Sequence, residues 1–512
     1  MKKNFLNQPS KEKKLQDECL LDRKKLHSMH SIDWNTLPDH IWRKVFAYFP
    51  TTTLCSTVRK VSKSWNNLSH DKVLWKTIDI PEICNLSKGK LKNLILNNDL
   101  SIATHFSFFP PEFSFEMASI LLHVCPNIHS LSLYNCSYEG AVHLINLKVL
   151  KSLSLHHCMN EVIIIFAKNL VELNRLCIAE SDLNDTSLVA ISNLKSLLEL
   201  QLKSIHVEKG QTSLLLRNSM NLKCLALEYM SGKINPGMIL SYFQGRNLTK
   251  LSLTSLAPHS EAILIKVLEN NRSLNCVKLD SCDISGIFIY ATHNLKKLIL
   301  SNCLLLSKDF FAYFEYGALL NELYVTISSE CGFNADFEQV KKLSVQIIPE
   351  TLEMAQDDIT KIKSLLSKNL RFLYLQWATT NKSLEFVMAN CRYLERLYIK
   401  SIFYRPIQIE NLKLKQNFSI LELYLDCSHF KELTFFSKLA IALPKLSLAN
   451  FRLQNEIVIP VLEIFSDECK SLRKLNVYLD EKVSLNVPQL KRLNNIEVNI
   501  FDCSGLIKPH EI

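Results

Sequence analysis

The nine residues Ile128-His129-Ser130-Leu131-Ser132-Leu133-Tyr134-Asn135-Cys136 hold apolar side chains at their first, fourth and sixth places, and that spacing returns along the rest of the chain. It recurs as Leu150-Leu153-Leu155-Cys158, Leu173-Leu176-Ile178, Leu197-Leu200-Leu202, Leu222-Leu225-Leu227 and Leu248-Leu251-Leu253. Leu274-Val277-Leu279-Cys282, Leu295-Leu298-Leu300-Cys303, Leu320-Leu323-Val325, Val340-Leu343-Val345 and Leu370-Leu373-Leu375 follow. Leu394-Leu397-Ile399, Ile420-Leu423-Leu425, Leu443-Leu446-Leu448, Leu472-Leu475-Val477 and Leu493-Ile496-Val498 complete sixteen copies at a period of 20–30 residues. Trp75-Ile78-Ile80 and Leu91-Leu94-Leu96 extend the series upstream as two earlier copies.

The last two apolar places of each copy are two apart, the period of a strand, so they point inward and the residue between them points out. Between copies the spacing turns helical, as at Met117, Ile120, Leu121 and Val124, or Leu384, Val387 and Met388. Each unit therefore reads as strand, turn, helix. One unit cannot bury its own apolar face, but stacked neighbours can, which predicts an α/β solenoid with a parallel sheet on its concave side. At about 1.5–3 kcal/mol per buried apolar side chain, loss of one core leucine unsettles the neighbouring units as well.

The segment ahead of the repeats reads differently. Leu37-Pro38-Asp39 opens a helix, because proline suits a first turn and Asp39 complements the positive end of the helix dipole. Ile41, Val45 and Tyr48 form one apolar stripe, and Trp42, Phe46 and Phe49 form a second beside it. Pro50 is expected to stop this helix, and Leu54, Val58, Val61, Trp65 and Leu68 continue at helical spacing on one or two shorter ones. So small a module can cover one stripe with its own core, and the other needs a partner.

This segment resembles the F-box, through Leu37-Pro38, the Ile41/Val45/Phe46/Phe49 helix, Leu54-Cys55, Val58, Val61-Ser62, Trp65, Asp71 and Leu74-Trp75. The repeats resemble the leucine-rich-repeat half of F-box proteins, although only some copies carry the closing cysteine and the period is uneven. The first resemblance implies a Skp-type adaptor as partner and, through it, a cullin–RING scaffold, with Leu37, Pro38, Ile41, Val45, Phe46 and Leu54 carrying the adaptor contact. His40 departs from the family pattern, which usually has an acidic residue there. The expected organisation is a basic arm over residues 1–30, the helical module over 31–76, a junction with atypical repeats over 77–127 and the solenoid over 128–512.

Composition narrows the function. Ten glycines argue against phosphate-cradling loops, and the one near-match, Gly232-Lys233-Ile234-Asn235-Pro236-Gly237, lacks the Lys and Ser/Thr that would reach phosphate and magnesium. Sixteen cysteines, no two closer than six residues, form no zinc knuckle, so no metal or other cofactor is called for. Cys136, Cys158, Cys282 and Cys303 occupy equivalent places and read as small buried side chains with a weak S–H donor. No apolar run approaches membrane-spanning length, and Met1-Lys2-Lys3-Asn4 lacks the apolar stretch of a signal peptide, which points to a reducing cytoplasmic or nuclear setting. Lys11-Glu12-Lys13-Lys14 and Arg23-Lys24-Lys25 have the composition of import signals and equally of a solvated tail. A net charge of +10 over 110 charged residues is a modest excess that does not single out nucleic acid. No H-E-x-x-H or G-x-S-x-G motif is present, and the chain reads as a binder, not an enzyme.

The outward residue of successive strands runs Ser132, Ser154, Cys177, Gln201, Ala226, Ser252, Lys278, Ile299, then Tyr324, Ser344, Tyr374, Tyr398 and Tyr424. The tyrosines are expected to form a ridge, joined by Trp377 and rimmed by Arg396, Lys400 and Glu422, with the composition of a protein-binding hot spot. Tyrosine also simply suits strands and stacks on its neighbours. The expected function is substrate recognition for a Skp–cullin–F-box ubiquitin ligase. A scaffold that docks an adaptor without ubiquitin transfer, and an RNA-associated factor, are the other readings.

Overall fold

The computed structural model describes residues 37–80, 88–96, 98–108, 113–207, 221–232, 236–241, 243, 245–303, 306, 310, 319–328, 339–348, 366, 368–376, 381–400, 412–427, 432–479 and 496–502. The chain forms two compact units, one of residues 1–110 with 120–128, the other of residues 111–119 with 129–512. The basic arm lies outside the described residues.

In the first unit, a helix runs over Asp39–Phe46, headed by Pro38 at φ −59° and ψ 145°, so the proline sits at the boundary of the helix and not inside its first turn. The helix ends at Phe46, ahead of Pro50, which instead heads the next one. That helix starts at Thr51–Thr53, widens to π geometry over Leu54–Val58 and closes over Arg59–Val61. Ser62 then caps Lys63–Ser69 by accepting from the Trp65 N–H at 3.1 Å, and a 3₁₀ turn spans Lys72–Trp75. The strand Thr77–Ile80 buries Ile78 and Ile80, as the copy at Trp75 predicts.

The copy at Leu91 is not a strand. Residues Lys88–Leu96 are helical, because Leu91, Leu94 and Ile95 also satisfy the i, i+3, i+4 spacing of a helix face. The strand comes later, at His105–Phe108, where Phe106 and Phe108 take the inward places and pair in parallel with Ile78 and Ile80.

In the second unit, sixteen parallel strands among the described residues pair in chain order, from Ser130–Tyr134 to Glu497–Asp502, always with inward residue opposite inward residue. Leu131 lies opposite Leu153, Leu176 opposite Leu200 and Leu251 opposite Val277, all buried. Helices such as Asn160–Asn169, Glu261–Asn270 and Asn381–Asn390 return the chain between strands and bury their apolar sides, Leu384, Val387 and Met388 among them. The α/β solenoid of stacked leucine-rich units is therefore the architecture of this unit.

Two copies sit in a different register from the sequence reading. The strand after Leu446 spans Leu448–Leu453 and points Ala449 and Phe451 inward, opposite Leu423 and Leu425, so Leu443-Leu446-Leu448 is three residues early. At the end of the sheet Val498 and Ile500 are the inward pair, not Ile496 and Val498. In both places leucine is missing where the fold wants it, and the leucines just upstream imitate the pattern.

The equivalent cysteines behave as anticipated. Cys282 and Cys303 donate to the backbone carbonyls of Asp280 and Ser301 at 3.4 Å each, and Cys158 donates to His156 O at 3.4 Å. Burial pushes the Cys136 and Cys158 thiols above their ordinary range. Just before this position the chain turns through a left-handed residue in eight successive units: Asn135, His157, Glu180, Ser204, Tyr229, Ser255, Ser281 and Asn302, at φ 47–56°. None is glycine.

Candidate docking surfaces

In the helical module the two stripes have opposite fates. Trp42 and Phe46 are buried against Trp65, with ring centroids 4.3 and 5.1 Å away, and Leu54 and Val58 complete this core. Val45 is 37% exposed, Tyr48 89% and Val61 56%, while Ile41 is half-buried and Pro38 exposed. Of the six residues expected at the adaptor contact, Leu37, Pro38, Ile41 and Val45 reach the surface, whereas Phe46 and Leu54 are enclosed by the module itself. Phe49, on the same stripe as Trp42 and Phe46, is exposed at its end, with its ring centroid 6.3 Å from that of Phe46.

Polar contacts hold the uncovered helix in place. Arg43 pairs with Asp71 at 2.6 Å, tying the first helix to the 3₁₀ turn. Arg59 lies over the Trp75 ring at 5.4 Å and donates to Ser69 Oγ at 3.1 Å and to Asn98 Oδ1. The indole N–H of Trp75 donates to Ser69 O at 3.0 Å. The first helix is thus tied to the rest of the module by the Arg43–Asp71 ion pair as well as by the packing of Trp42 and Phe46 on Trp65.

In the solenoid, Tyr374 and Tyr398 occupy adjacent strands in register and belong to one cluster with Phe372, against which Tyr424 packs. The rings of Tyr398 and Tyr424 stack at 5.9 Å, and Tyr424 reaches Tyr478 at 6.3 Å. Tyr374 and Tyr398 are each only 6% exposed, so the aromatic faces are spent largely on one another. Tyr324 stands apart, separated from Tyr374 by Ser344, with the Lys297 ammonium over its ring at 5.1 Å. Trp377 lies outside the described residues.

The hydroxyls differ. Tyr374 donates to Gln376 at 2.8 Å and Tyr398 donates to Glu422, while Tyr424 Oη is buried with no hydrogen-bond partner among the described residues. Burial pushes the Tyr374 phenol up to about 12, and burial also raises Tyr398 and Tyr424, so all three stay neutral at physiological pH. Arg396 lies over Phe372 at 5.3 Å.

Sequence reading missed how the ridge continues. With the register corrected, Tyr424 lies opposite Asn450, then Asn476 and Asn499. These form a ladder in which Asn476 donates to Asn450 at 2.8 Å and Asn499 donates to Asn476 at 3.1 Å. The signal was present in the spacing of Asn450, Asn476 and Asn499, but the slipped copy at Leu443 hid it.

A polar network occupies the other end of the strands. Glu228 accepts from Ser252 at 2.5 Å and pairs with Lys278 and Lys203 at 3.4 and 3.7 Å, while Asp280 accepts from the Tyr229 hydroxyl at 2.9 Å. Burial alone would raise Glu228, but Ser252 and the two lysines outweigh it and hold its carboxyl below the usual range. Among the described residues no group of three or more His, Cys, Asp or Glu side chains could hold a metal, and no helix is long and apolar enough to cross a membrane.

Residues 34–81 match the F-box-like family model. No curated protein matches the chain. Among solved structures, the chain is similar to an internalin of Listeria monocytogenes, at 15% identity over 76% of this chain and 89% of that one, with a TM-score of 0.31. It is similar to the Rad7 and Elc1 complex of yeast, at 15% identity over 96% and 98%, with a TM-score of 0.33. TLR13 in complex with ssRNA13 is a further neighbour, at 16% identity over 78% and 65%, with a TM-score of 0.38. The chain joins an F-box-like segment to leucine-rich repeats, two kinds of module typically used for interaction.

Proposed function

We propose that the protein is a non-catalytic substrate receptor of a Skp–cullin–F-box ubiquitin ligase. The observation that carries this reading is the uncovered flank of an F-box-like helix, with Ile41 half-buried and Val45 exposed, continued by exposed Tyr48 in the turn after it, while Trp42 and Phe46 on the neighbouring flank are packed. A monomeric module gains nothing by exposing such a stripe, and a Skp-type adaptor would cover it. Pro38 and Leu37 extend the contact; Phe46 and Leu54 act by building the core that presents it.

In this reading residues 31–76 are the docking module, 77–127 the junction and 128–512 the receptor. The target protein is held on the sheet face turned away from the helices, with Tyr324, Tyr374, Tyr398 and Tyr424, and from the sequence Trp377, as contact candidates. Chemistry belongs to the other subunits of the ligase, in the cytoplasm or nucleus. The second reading, an adaptor-bound scaffold without ubiquitin transfer, uses the same stripe and differs only in whether a cullin follows.

Recovery of partners from cells separates the two. Wild-type chain is expected to bring down a Skp-type adaptor and a cullin, and Leu37→Ala/Pro38→Ala to lose both. Adaptor without cullin favours the scaffold, and recovery of neither by the wild type overturns both readings.

A further inference from the structure

Along the upstream edge of the sheet, charge is unbalanced. The residue just before each strand belongs to one continuous row, because its N–H bonds to the carbonyl of its counterpart one unit earlier. Lys223 does so to Leu198, Lys296 to Asn275, Lys341 to Asn321 and Arg371 to Lys341, at 2.7–2.9 Å. The first residue of each strand makes a second row beside it, with Lys250, Cys276, Lys297 and Glu322 in register, followed by Lys342, Phe372 and Arg396.

From the strand Cys224–Glu228 to the strand Arg396–Lys400, these two rows contain eight cations and two carboxylates. Lys297 and Lys342 share Glu322 at 3.0 Å each, and Arg371 pairs with Glu395 at 2.8 Å. Lys223, Lys250, Lys296 and Lys341 are exposed and pair with no carboxylate among the described residues. Outside this stretch the rows hold four cations and three carboxylates, among them the pairs Arg175–Glu199 and Lys474–Glu497.

Helix dipoles do not account for the second row. Cations near helix C-termini are commonplace, but Lys250, Lys297 and Lys342 stand on strands, on the face turned away from the helices, while Lys223, Lys296 and Lys341 of the first row lie one residue upstream at the sheet edge. The carboxylates of Glu228 and Asp280 lie at the opposite ends of their strands, about 13 Å away at the rise of an extended chain.

We propose that this band receives an extended, Asp/Glu-rich segment of the target protein, an inference that rests on reading the solenoid as the target receptor. Cations two strands apart, such as Lys296 and Lys341, are separated by about 10 Å, which matches every third residue of a peptide in polyproline II conformation, whose three-residue turn of about 9 Å keeps those side chains on one face. A nucleic acid fits less well. Single strands bind by stacking bases on free aromatic faces, and here Tyr374 and Tyr398 are buried while Tyr398 and Tyr424 already stack on each other.

The test is fluorescence anisotropy with the full chain and a fluorescein-labelled peptide carrying Glu at every third position, beside its Gln counterpart and a labelled oligouridylate. Wild type is expected to bind the Glu peptide more tightly than either, with affinity falling as salt rises. Lys296→Glu/Lys341→Glu should weaken it by about ten-fold or more. Lys148→Glu/Lys195→Glu, exposed cations outside the band, should leave it unchanged. If melting curves reveal that the first variant is unfolded, Lys296→Gln/Lys341→Gln replaces it, with a smaller loss in the same direction. Equal affinity for Glu and Gln peptides, an equal loss in the control variant, or tighter oligouridylate binding lost with the band would each overturn the proposal. Adaptor recovery is measured on the same preparations. Adaptor retained without peptide binding defeats this inference alone, and peptide binding without adaptor defeats the ligase reading alone.

Discussion

Replacing Ser204 and Ser255 by glycine should stabilise the second unit. Both hold left-handed backbone, at φ 50° and 56°, and both side chains are exposed without a hydrogen bond of their own among the described residues. A Cβ in this conformation costs roughly 1–2 kcal/mol, because it crowds the following carbonyl. Glycine removes that cost but gives the unfolded chain more freedom, worth about 0.5–1 kcal/mol in the other direction. The net expectation is a gain of about 0.5–1 kcal/mol per site. The backbone bonds of the turn are retained, since Ser204 N–H donates to Glu228 O at 2.8 Å and Ser255 N–H to Asp280 O at 3.0 Å whatever the side chain. Ser255→Val moves the opposite way, because a β-branched side chain is the least tolerant of φ > 0. Urea unfolding of the single and double variants reads the difference directly. A loss of stability in both glycine variants would refute the reasoning, since it would mean that the left-handed turns carry no strain or that the serines make contacts the geometry does not contain.

Three further outcomes follow from named contacts. Phe46→Ala should cost about 3–5 kcal/mol in the first unit, as it empties the core beneath the exposed stripe, and thermal unfolding of the full chain checks it. Asn476→Ala removes the middle of the asparagine ladder and should cost about 1–3 kcal/mol, read by urea unfolding against an Asn499→Ala control that loses the bond from Asn499 to Asn476 and the bond to Glu497. Burial lowers the His156 pKa below 6.5, with Glu180 opposing and His157 and Lys203 adding to it. The folded state therefore binds that proton less readily than the unfolded one. Above pH 6.5 the group costs nothing, and stability falls as pH drops from there through the folded value. His156→Gln should flatten that part of the stability–pH curve in the same unfolding assay.

Much of this was legible in the residues, and the failures share a cause. Leucine pairs two apart locate most strands of the sheet, because burial on one face imposes a period that few other structures share. The pattern misled where leucine was replaced. Ala449 and Phe451 fill inward places, so Leu443 and Leu446 drew the register three residues upstream and concealed Asn450. At Leu91 the same letters satisfied a helix. Residue types gave no warning of the left-handed turns at His157, Glu180 and Tyr229, where the stack dictates a conformation the side chains do not favour.

In the module, two apolar stripes were evident from spacing alone. Which one turned inward depended on Trp65, more than twenty positions along the chain from Trp42, and on how it lies against both Trp42 and Phe46. The run of Tyr374, Tyr398 and Tyr424 on adjacent strands was likewise foreseen, but not that Tyr324 would stand apart or that the rings would be largely consumed in packing on one another. That is a property of registered neighbours about 4.8 Å apart, and no single strand reveals it.

The stripe of Ile41, Val45 and Tyr48 is the central claim, and calorimetric titration of the full chain with a purified Skp-type adaptor tests it most directly. We expect wild-type binding tighter than about 1 μM, and a loss of about thirty-fold or more in Val45→Asp/Tyr48→Ala with the melting temperature unchanged. No heat of binding with wild type, or equal affinity for the variant, would contradict it.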